Sequence, residues 1–306
     1  MTPDRDGPAL HGWLVIDKPL GPGSTQIVSA VKRALRDGGY AKVKVGHGGT
    51  LDPLASGVLP VALGEATKLS GRMLDADKAY AFTIGFGTAT DTLDAEGVTV
   101  ATSDARPTLA DVAAVLPRFT GAIDQVPPVY SALKIDGRRA YALARAGEAV
   151  EMRTRAVTVH ALSILSGDAG GPLDSVTLHA AVSKGTYIRS LARDVADALG
   201  TVGHVTMLRR SKAGPFTLAP AISLDILAET AKARALEQHL LPLAAGLDDI
   251  PALPVTPDQA RALREGRKTI GTAAAPGLHL ATDAGVPVAL VTVADGLFRV
   301  ERGFNL

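Results

Sequence analysis

The fold of this chain is decided by one stretch, Gly46-His47-Gly48-Gly49-Thr50-Leu51-Asp52-Pro53-Leu54-Ala55-Ser56-Gly57-Val58-Leu59. Asp52 is its single carboxylate, and Pro53 restricts the backbone of Asp52 to extended or polyproline-like geometry, which limits the directions of its side chain. The glycines keep other side chains away, so that another backbone can approach closely. The stretch therefore predicts a nucleophile presented to a polymer substrate. The alternative is a tight surface turn, since Asp, Gly, Pro and Thr are ordinary turn residues.

The composition is typical of a protein from a reducing compartment. The 306 residues include no cysteine, and 46% of them are apolar. A chain of this length buries a large core, and we expect one large domain and one small one. The lack of cysteine excludes thiol nucleophiles, disulfides and thiolate metal sites. Residues 1–7 lack the apolar core of a signal peptide, and no apolar run approaches the ~20 residues of a membrane span. We therefore expect a cytoplasmic protein without membrane contact.

Positive charge is concentrated in three segments, although the formal net charge is only +1. Residues 30–46 hold five Lys or Arg against one acid, residues 130–155 hold six against three, and residues 204–214 hold three against none. Three such segments predict contact with a phosphate backbone. For any one segment the alternative is a solvated helix face.

Periodicity predicts the elements around the Asp52 loop. Ser24 is the expected N-cap of a helix that ends at Gly38-Gly39. Residues 58–63 are expected to form a buried strand in spite of Pro60, and alternation predicts a strand over residues 80–86. Tyr80 shares the aromatic face of that strand, where a packing role is the alternative to a catalytic one. We also expect a helix over residues 108–119 and strands over residues 157–165 and 175–183.

An amphipathic helix is predicted over residues 187–200. Arg189 lies in its first turn, where the helix dipole makes a cation unfavourable, so we expect Arg189 to have an acidic partner. The alternative is a ladder of ion pairs on one helix face, because Arg189, Arg193 and Asp197 follow at steps of four residues.

The C-terminal residues have a different pattern. Prolines at positions 251, 254 and 257 mark a predicted boundary. A short helix is expected at residues 257–265, followed by a hairpin that joins residues 286–293 and 297–302 through an Asp295-Gly296 turn. Residues 250–306 are thus expected to form a small β-barrel.

Seven further segments stand in a fixed order with the Asp52 loop within residues 13–214. They are Asp17-Lys18-Pro19, Gly64-Glu65-Ala66-Thr67-Lys68-Leu69, Asp77-Lys78-Ala79-Tyr80, residues 88–97, residues 126–141, residues 185–194 and Leu208-Arg209-Arg210. Together they resemble the bacterial tRNA pseudouridine synthase B family. The resemblance implies a mixed α/β (α+β) pseudouridine synthase fold with a central antiparallel mixed sheet. It further implies a catalytic domain over residues 1–249, with an RNA-binding insertion at residues 125–155, and a PUA-like RNA-binding barrel over residues 250–306.

The resemblance also implies an activity, the isomerisation of uridine to pseudouridine at position 55 in the TΨC arm of tRNA. The target base is stacked, so the enzyme must flip it into a pocket. One carboxylate suffices where a glycosidase uses two, because the detached uracil is recaptured. Asp52 is the essential group, with attack at C1′, attack at C6 and proton abstraction at C2′ all open. No cofactor or metal is implied, and we expect a monomer that acts on tRNA without an obligatory protein partner.

Seven other residues receive roles from the resemblance. Tyr80 stacks on the uracil and takes part in proton removal at C5, and Arg189 pairs with Asp52. His47 occupies the space that the base vacates or contacts the RNA nearby. Four further contacts are implied: Tyr187 lines the uracil pocket, Leu208 offers backbone hydrogen bonds to the base, and Lys18 and Lys68 contact phosphate or form structural pairs.

Three alternatives share parts of this pattern. A guide-RNA-dependent relative has the same Asp52 motif but requires partner proteins and a guide. A nonenzymatic RNA-binding or tRNA-folding module needs the basic surfaces without Asp52. A nucleoside hydrolase uses Asp52 together with Asp91 or Asp94 as the acid, and it releases free uracil.

Overall fold

The computed structural model describes residues 7–131, 133–135, 137–148, 150–168, 170–271 and 274–306. Its strands are β1 Gly12–Lys18, β2 Val45–His47, β3 Ala55–Leu63, β4 Lys78–Phe86, β5 Thr88–Thr90, β6 Thr99–Thr102, β7 Gly121–Gln125, β8 Lys134–Ile135, β9 Arg138–Arg139, β10 Arg155–Ser166, β11 Ser175–Val182, β12 Gly203–Ala213, β13 Phe216–Thr217, β14 Ala252–Pro254, β15 Thr269–Ile270, β16 Gly277–Asp283, β17 Val286–Ala294 and β18 Leu297–Gly303. Its α-helices are α1 Ser24–Asp37, α2 Ser70–Asp75, α3 Leu109–Val115, α4 Ala140–Arg145, α5 Ile188–Ala198, α6 Leu224–Lys232 and α7 Pro257–Arg264. Short 3-10 helices span Gly64–Leu69, Leu116–Phe119, Leu236–His239 and Leu243–Gly246.

A nine-stranded mixed sheet forms the centre of the molecule. Its main path runs β1-β3-β12-β4-β11-β10-β7, with β2 paired to β3 and β13 paired to β12. All of these pairings are antiparallel except that of β12 with β3. The predicted mixed α/β fold with a central sheet is therefore confirmed.

Two apolar cores meet at the middle of this sheet. One contains helix α5 and the inner faces of β4 and β11, and the other contains helices α1 and α6 and the inner faces of β1 and β3. Tyr80 of β4 and Leu208 of β12 are only partly buried and pack against both cores. Asp52, in the loop between β2 and β3, lies with these two residues at the junction of the two cores.

Helix α1 anchors that loop through its first residue. The N-cap of α1 is Gly23, so the prediction that Ser24 is the N-cap was wrong. The physical reason is that the Ser24 hydroxyl has another partner: it accepts a hydrogen bond from the Leu51 N–H at 2.7 Å and donates one to the Leu51 carbonyl at 3.0 Å. The predicted end of the helix is confirmed, because α1 stops at Asp37 and Gly39 has a left-handed φ of +71°.

The other predicted elements of the catalytic region also form. Strands β4, β10 and β11 cover the expected segments, and the helix predicted at residues 108–119 is α3 continued by a 3-10 turn. The segment 125–155 contains the β8–β9 hairpin followed by α4. Residues 132, 136 and 149 of that segment lie outside the described residues.

The C-terminal residues form a second sheet of five strands, in the order β14-β16-β17-β18-β15, with helix α7 against it. The predicted hairpin is confirmed as β17 and β18 around Asp295-Gly296. This sheet fits the predicted PUA-like barrel. Leu280, Leu290 and Phe304 share a core with Trp13 of β1, so the sheet packs directly on the catalytic region. The division between residues 249 and 250 stays a prediction.

In the part of the chain that the structure describes, no helix combines the length and the apolar character that crossing a membrane requires.

Gly57 lies where β3 packs closely against the backbone of β12. Its φ is +101°, and a Cβ placed there would lie 2.2 Å from the carbonyl oxygen of Arg210. We expect Gly57→Ala to lower the free energy of unfolding by about 3 kcal/mol or more, since backbone strain of about 1–2 kcal/mol adds to a clash with backbone. Urea denaturation measures this loss.

Gly200→Ala is the matched control for Gly57→Ala. Gly200 has a φ of +73° and open space around its Cα. It therefore isolates the strain of about 1–2 kcal/mol. Equal losses for the two variants would contradict the close approach of β3 to β12.

Candidate active site

Asp52 lies in a cavity of about 330 Å³ at the junction of the two cores. This volume is at the small end of the range for ligand pockets, about 300–1,000 Å³. The cavity brings together five of the residues that the sequence predicted for the site: Asp52, Tyr80, Tyr187, Arg189 and Leu208. They come from the β2–β3 loop, β4, the start of α5 and β12, so the sheet order assembles them from distant parts of the chain.

Arg189 forms an ion pair with Asp52 inside this cavity. Its Nη2 lies 2.9 Å from Asp52 Oδ2, with 8% of the Arg189 side chain exposed and 42% of the Asp52 side chain. No described residue donates a hydrogen bond to the other carboxylate oxygen of Asp52. A half-exposed carboxylate with one oxygen held and one oxygen free is suited to nucleophilic or general-base chemistry.

Asp94 is a second partner of Arg189. Arg189 Nη1 lies 3.1 Å from Asp94 Oδ2, and the guanidinium also donates to the carbonyls of Thr92 at 2.8 Å and Tyr130 at 3.1 Å. From the sequence, the one role expected of Asp94 was that of the acid in a hydrolase. The Asp94 carboxylate accepts hydrogen bonds from the Thr92 hydroxyl and the Glu96 N–H, and it is buried. This arrangement uses Asp94 as an acceptor that positions Arg189, and it gives no support to Asp94 as a proton donor.

Lys18 binds the Asp52 loop through a hydrogen bond to the Pro53 carbonyl. Its side chain is fully buried, and its ammonium donates to the carbonyls of Pro19 and Pro22 at 2.8 Å and of Pro53 at 3.3 Å. Burial lowers the pKa of this ammonium, and the nearby charge of Asp52 opposes that change. Of its two implied roles, phosphate contact and structural pairing, the geometry supports the structural one.

Arg210 also holds this loop, although the sequence placed it only in a basic segment and in the Leu208-Arg209-Arg210 motif, without a role of its own. Its guanidinium is buried and donates to the carbonyls of Val58 at 2.7 Å, Thr50 at 3.2 Å and Gly49 at 3.2 Å. Its neighbour Arg209 lies on the opposite face of the sheet and pairs with Asp17 at 2.8 Å. Strand alternation was the available signal, because it places two consecutive arginines on opposite faces of the sheet.

Arg210 also acts electrostatically on His47. Burial lowers the pKa of His47, and the positive charge of Arg210 lowers it further. We expect Arg210→Met to raise the His47 pKa, measured by NMR titration of the imidazole. We also expect it to slow catalysis by about 100-fold, because the loop that carries Asp52 loses its restraints.

Arg209→Met is the control for this prediction, since it removes an adjacent arginine whose charge is already paired with Asp17. It is expected to change the His47 pKa less than Arg210→Met does. An unchanged His47 pKa in Arg210→Met would contradict the electrostatic effect of Arg210 on His47.

Tyr187 is fixed at the start of α5 by Gln125, another residue that the sequence analysis missed. The Gln125 amide donates to the Tyr187 carbonyl at 3.1 Å and accepts from the Tyr187 N–H at 2.8 Å. Gln125 is buried, so this clamp is protected from water. Burial raises the pKa of the Tyr187 phenol. Tyr187 therefore presents a neutral aromatic ring to the cavity.

Besides Lys18, two further predicted substrate contacts lie outside the lining of the Asp52 cavity. His47 is half-buried on β2, where its Nδ1 accepts a hydrogen bond from the Gly49 N–H at 3.4 Å. Lys68 forms an ion pair with Glu65 at 2.6 Å and donates to the carbonyl of Gly303 at 2.9 Å. The geometry of Lys68 supports its structural alternative, a link between the catalytic region and the C-terminal sheet.

Metal-binding groups are not gathered at this cavity. Among the residues that the structure describes, no three His, Asp or Glu side chains lie close enough together to hold a metal ion. The functional groups of the described residues at this cavity include a carboxylate, two aromatic rings and buried cations.

Family models match most of the chain. The model for the N-terminal domain of TruB family pseudouridylate synthases matches residues 36–188, and that for the C-terminal domain of tRNA pseudouridylate synthase B matches residues 189–248. The tRNA pseudouridine synthase B of Novosphingobium aromaticivorans is 64% identical over 97% of this chain and 98% of its own length. That of Zymomonas mobilis is 61% identical, with 97% of each chain covered.

Solved structures share the fold at lower identity. The archaeal box H/ACA sRNP Nop10-Cbf5 complex contains a chain with a TM-score of 0.71 and 24% identity, covering 99% of this chain and 90% of that one. A chain in an H/ACA RNP bound to a substrate RNA has a TM-score of 0.72 and 24% identity, covering 97% of this chain and 86% of that one. Fold, assembled cavity and family models agree, and the chain belongs to the TruB family of pseudouridylate synthases.

Proposed function

We propose that this chain converts uridine to pseudouridine at position 55, in the TΨC arm of tRNA, and that it flips the target base into the Asp52 cavity. The observation that carries the proposal is the half-exposed Asp52 carboxylate, held through one oxygen by the buried guanidinium of Arg189. The names of its relatives from Novosphingobium and Zymomonas support tRNA as the substrate.

The net reaction sets what the cavity must do. The bond between C1′ and N1 breaks, a bond between C1′ and C5 forms, the hydrogen at C5 leaves as a proton, and N1 takes up a proton. Among the described residues that line the cavity, Asp52 is the only one with a carboxylate, so we assign it the essential role in breaking the glycosidic bond. The cavity must also retain the detached uracil while it turns.

Two aromatic rings suit that retention. Tyr80 and Tyr187 both line the cavity. Flipping a base costs a few kcal/mol, and stacking on an aromatic ring returns about 1–3 kcal/mol per base. We propose that Tyr80 stacks on the flipped uracil and assists proton removal at C5, while Tyr187 forms the pocket wall and Leu208 offers backbone contacts.

We further propose that the chain works as a monomer, without a guide RNA or a partner protein. The exposed basic side chains of the segment 125–155 support direct RNA binding by this chain. They include Lys134, Arg138, Arg145 and Arg153.

The test is release of tritium from tRNA transcripts labelled at C5 of uridine, with the purified chain alone. We expect one equivalent of tritium per tRNA, no release linked to position 55 from a transcript with cytidine there, and no free uracil. No release from the uridine transcript contradicts the activity, and unchanged release from the cytidine transcript contradicts the position. Free uracil as the product supports the hydrolase, and release only after addition of a guide RNA and partner proteins supports the guide-dependent alternative.

A further inference from the structure

A basic groove lies between helix α1 and the residues that lead into β2. Its volume is about 810 Å³. We define it by the five cations that line it, which are Lys32, Arg33, Arg36, Lys42 and Lys44. All five side chains are on exposed residues.

Four of these cations have no acidic partner among the residues that the structure describes. Arg36 pairs with Asp37 at 3.0 Å. Lys32, Arg33, Lys42 and Lys44 make no ion pair with any residue that the structure describes. Unpaired cations crowded around a concave surface repel one another and concentrate anions from solution. The groove is therefore built to receive several negative charges at once.

The groove is continuous with the loop that carries Asp52. Its floor includes Val45 and Gly46 of β2, and the same strand continues through His47 into the loop. Its wall is α1. The Ser24 hydroxyl at the start of α1 forms hydrogen bonds with the N–H and the carbonyl of Leu51. No described residue that lines the groove also lines the Asp52 cavity. Gly46 of β2 lies opposite Ala62, at the end of β3 away from the Asp52 loop. A ligand in the groove would therefore be separate from the reacting nucleotide and would not enter the cavity.

The described residues of the groove offer positive charge for a phosphodiester backbone but no exposed aromatic ring for a nucleobase. Tyr40, the aromatic residue on its wall, is 2% exposed, and its hydroxyl is bonded to Glu237. It therefore offers no ring on which a base can stack, whereas base-reading surfaces for single strands use exposed aromatic rings.

We propose that the basic groove binds the phosphodiester backbone of the RNA substrate, beyond the nucleotide that enters the Asp52 cavity. The inference rests on the proposed function for the identity of the RNA. It predicts binding that depends on salt and is insensitive to base sequence, because phosphate contacts release condensed counterions.

Equilibrium binding of an unmodified tRNA transcript at several KCl concentrations tests this inference. All chains carry Asp52→Asn, so that no turnover occurs. We expect Arg33→Gln/Lys44→Gln to weaken binding about ten-fold at low salt and to reduce the slope of log K against log[KCl] by about 1.4–1.8, at ~0.7–0.9 per lost phosphate contact. The pair Lys32→Gln/Lys42→Gln is expected to give the same reduction. In the active chain, each pair raises KM for tRNA.

The matched control is Arg118→Gln/Lys232→Gln. It removes one Arg and one Lys from exposed positions that do not line the groove. We expect this control to leave the salt slope unchanged, and thermal melting to show that all variants stay folded. An unchanged slope in both groove variants, or an equal change in the control, overturns the proposal. Because binding is measured without turnover, failure of the proposed isomerase activity leaves this result independent.

Discussion

Asp52→Asn is expected to reduce the rate of tritium release by at least about 10⁴-fold, as the loss of an essential nucleophile does in other enzymes. Asparagine keeps the shape of the side chain but lacks the negative charge. The fold should survive the change, because Arg189 keeps its ion pair with the buried Asp94. Single-turnover kinetics on labelled tRNA measures the rate, and urea denaturation measures the stability.

Asp174→Asn is the control for this experiment. Asp174 pairs with Arg106 at the surface, and 95% of its side chain is exposed. We expect this variant to keep the parental rate, since surface ion pairs contribute only about 0–1 kcal/mol. Asp52→Asn with more than a small fraction of the parental rate would contradict the essential role. Biological activity that survives in Asp52→Asn after tritium release is lost would favour the nonenzymatic RNA-binding alternative.

Arg189→Met is expected to damage both catalysis and stability. Methionine fills similar space but leaves the buried Asp94 carboxylate without its ion pair, which costs about 3–5 kcal/mol of unfolding free energy. It also releases Asp52 and removes the hydrogen bonds to Thr92 and Tyr130. We expect the rate of tritium release to fall by about 10²-fold or more, since displaced catalytic groups lose their reactive geometry.

A second variant separates these two effects. Adding Asp94→Asn to Arg189→Met removes the unpaired charge, so we expect part of the stability to return while the activity stays low. Arg193→Met, one turn along the same helix, is the control: Arg193 pairs with the partly exposed Asp194. It is expected to cost about 1 kcal/mol or less. Full activity in the double variant would show that Arg189 has only a structural role.

Much of the fold was predictable from local patterns. Alternation predicted β4, β10 and β11, and the Asp295-Gly296 turn predicted the last hairpin. Helix α5 followed from its apolar stripe, and the first-turn position of Arg189 predicted an acidic partner. These predictions succeeded because periodicity, turn residues and the helix dipole act over a few neighbouring residues.

Predictions that depended on side-chain partners were less complete. Ser24 was assigned as an N-cap from its residue type, and its actual partner is Leu51, in a loop that only the folded chain brings near. Lys18 and Lys68 were expected to contact phosphate or to form structural pairs, and Arg210 was part of a basic segment. Each of them donates a hydrogen bond to a backbone carbonyl in a distant segment, and composition contains no signal for such acceptors.

The sequence by itself determined the loop that presents Asp52, the two tyrosines and the expectation of an acid beside Arg189. Short-range geometry and motif order carry that information. Only the tertiary structure decided that Arg189 is shared between Asp52 and Asp94, and that Lys18 and Arg210 hold the loop at the carbonyls of Pro53 and Thr50. The physical reason is that a buried cation must find acceptors wherever the fold supplies them. The parallel pairing of β12 with β3 brings those acceptors to Arg210 from a part of the chain far away in sequence.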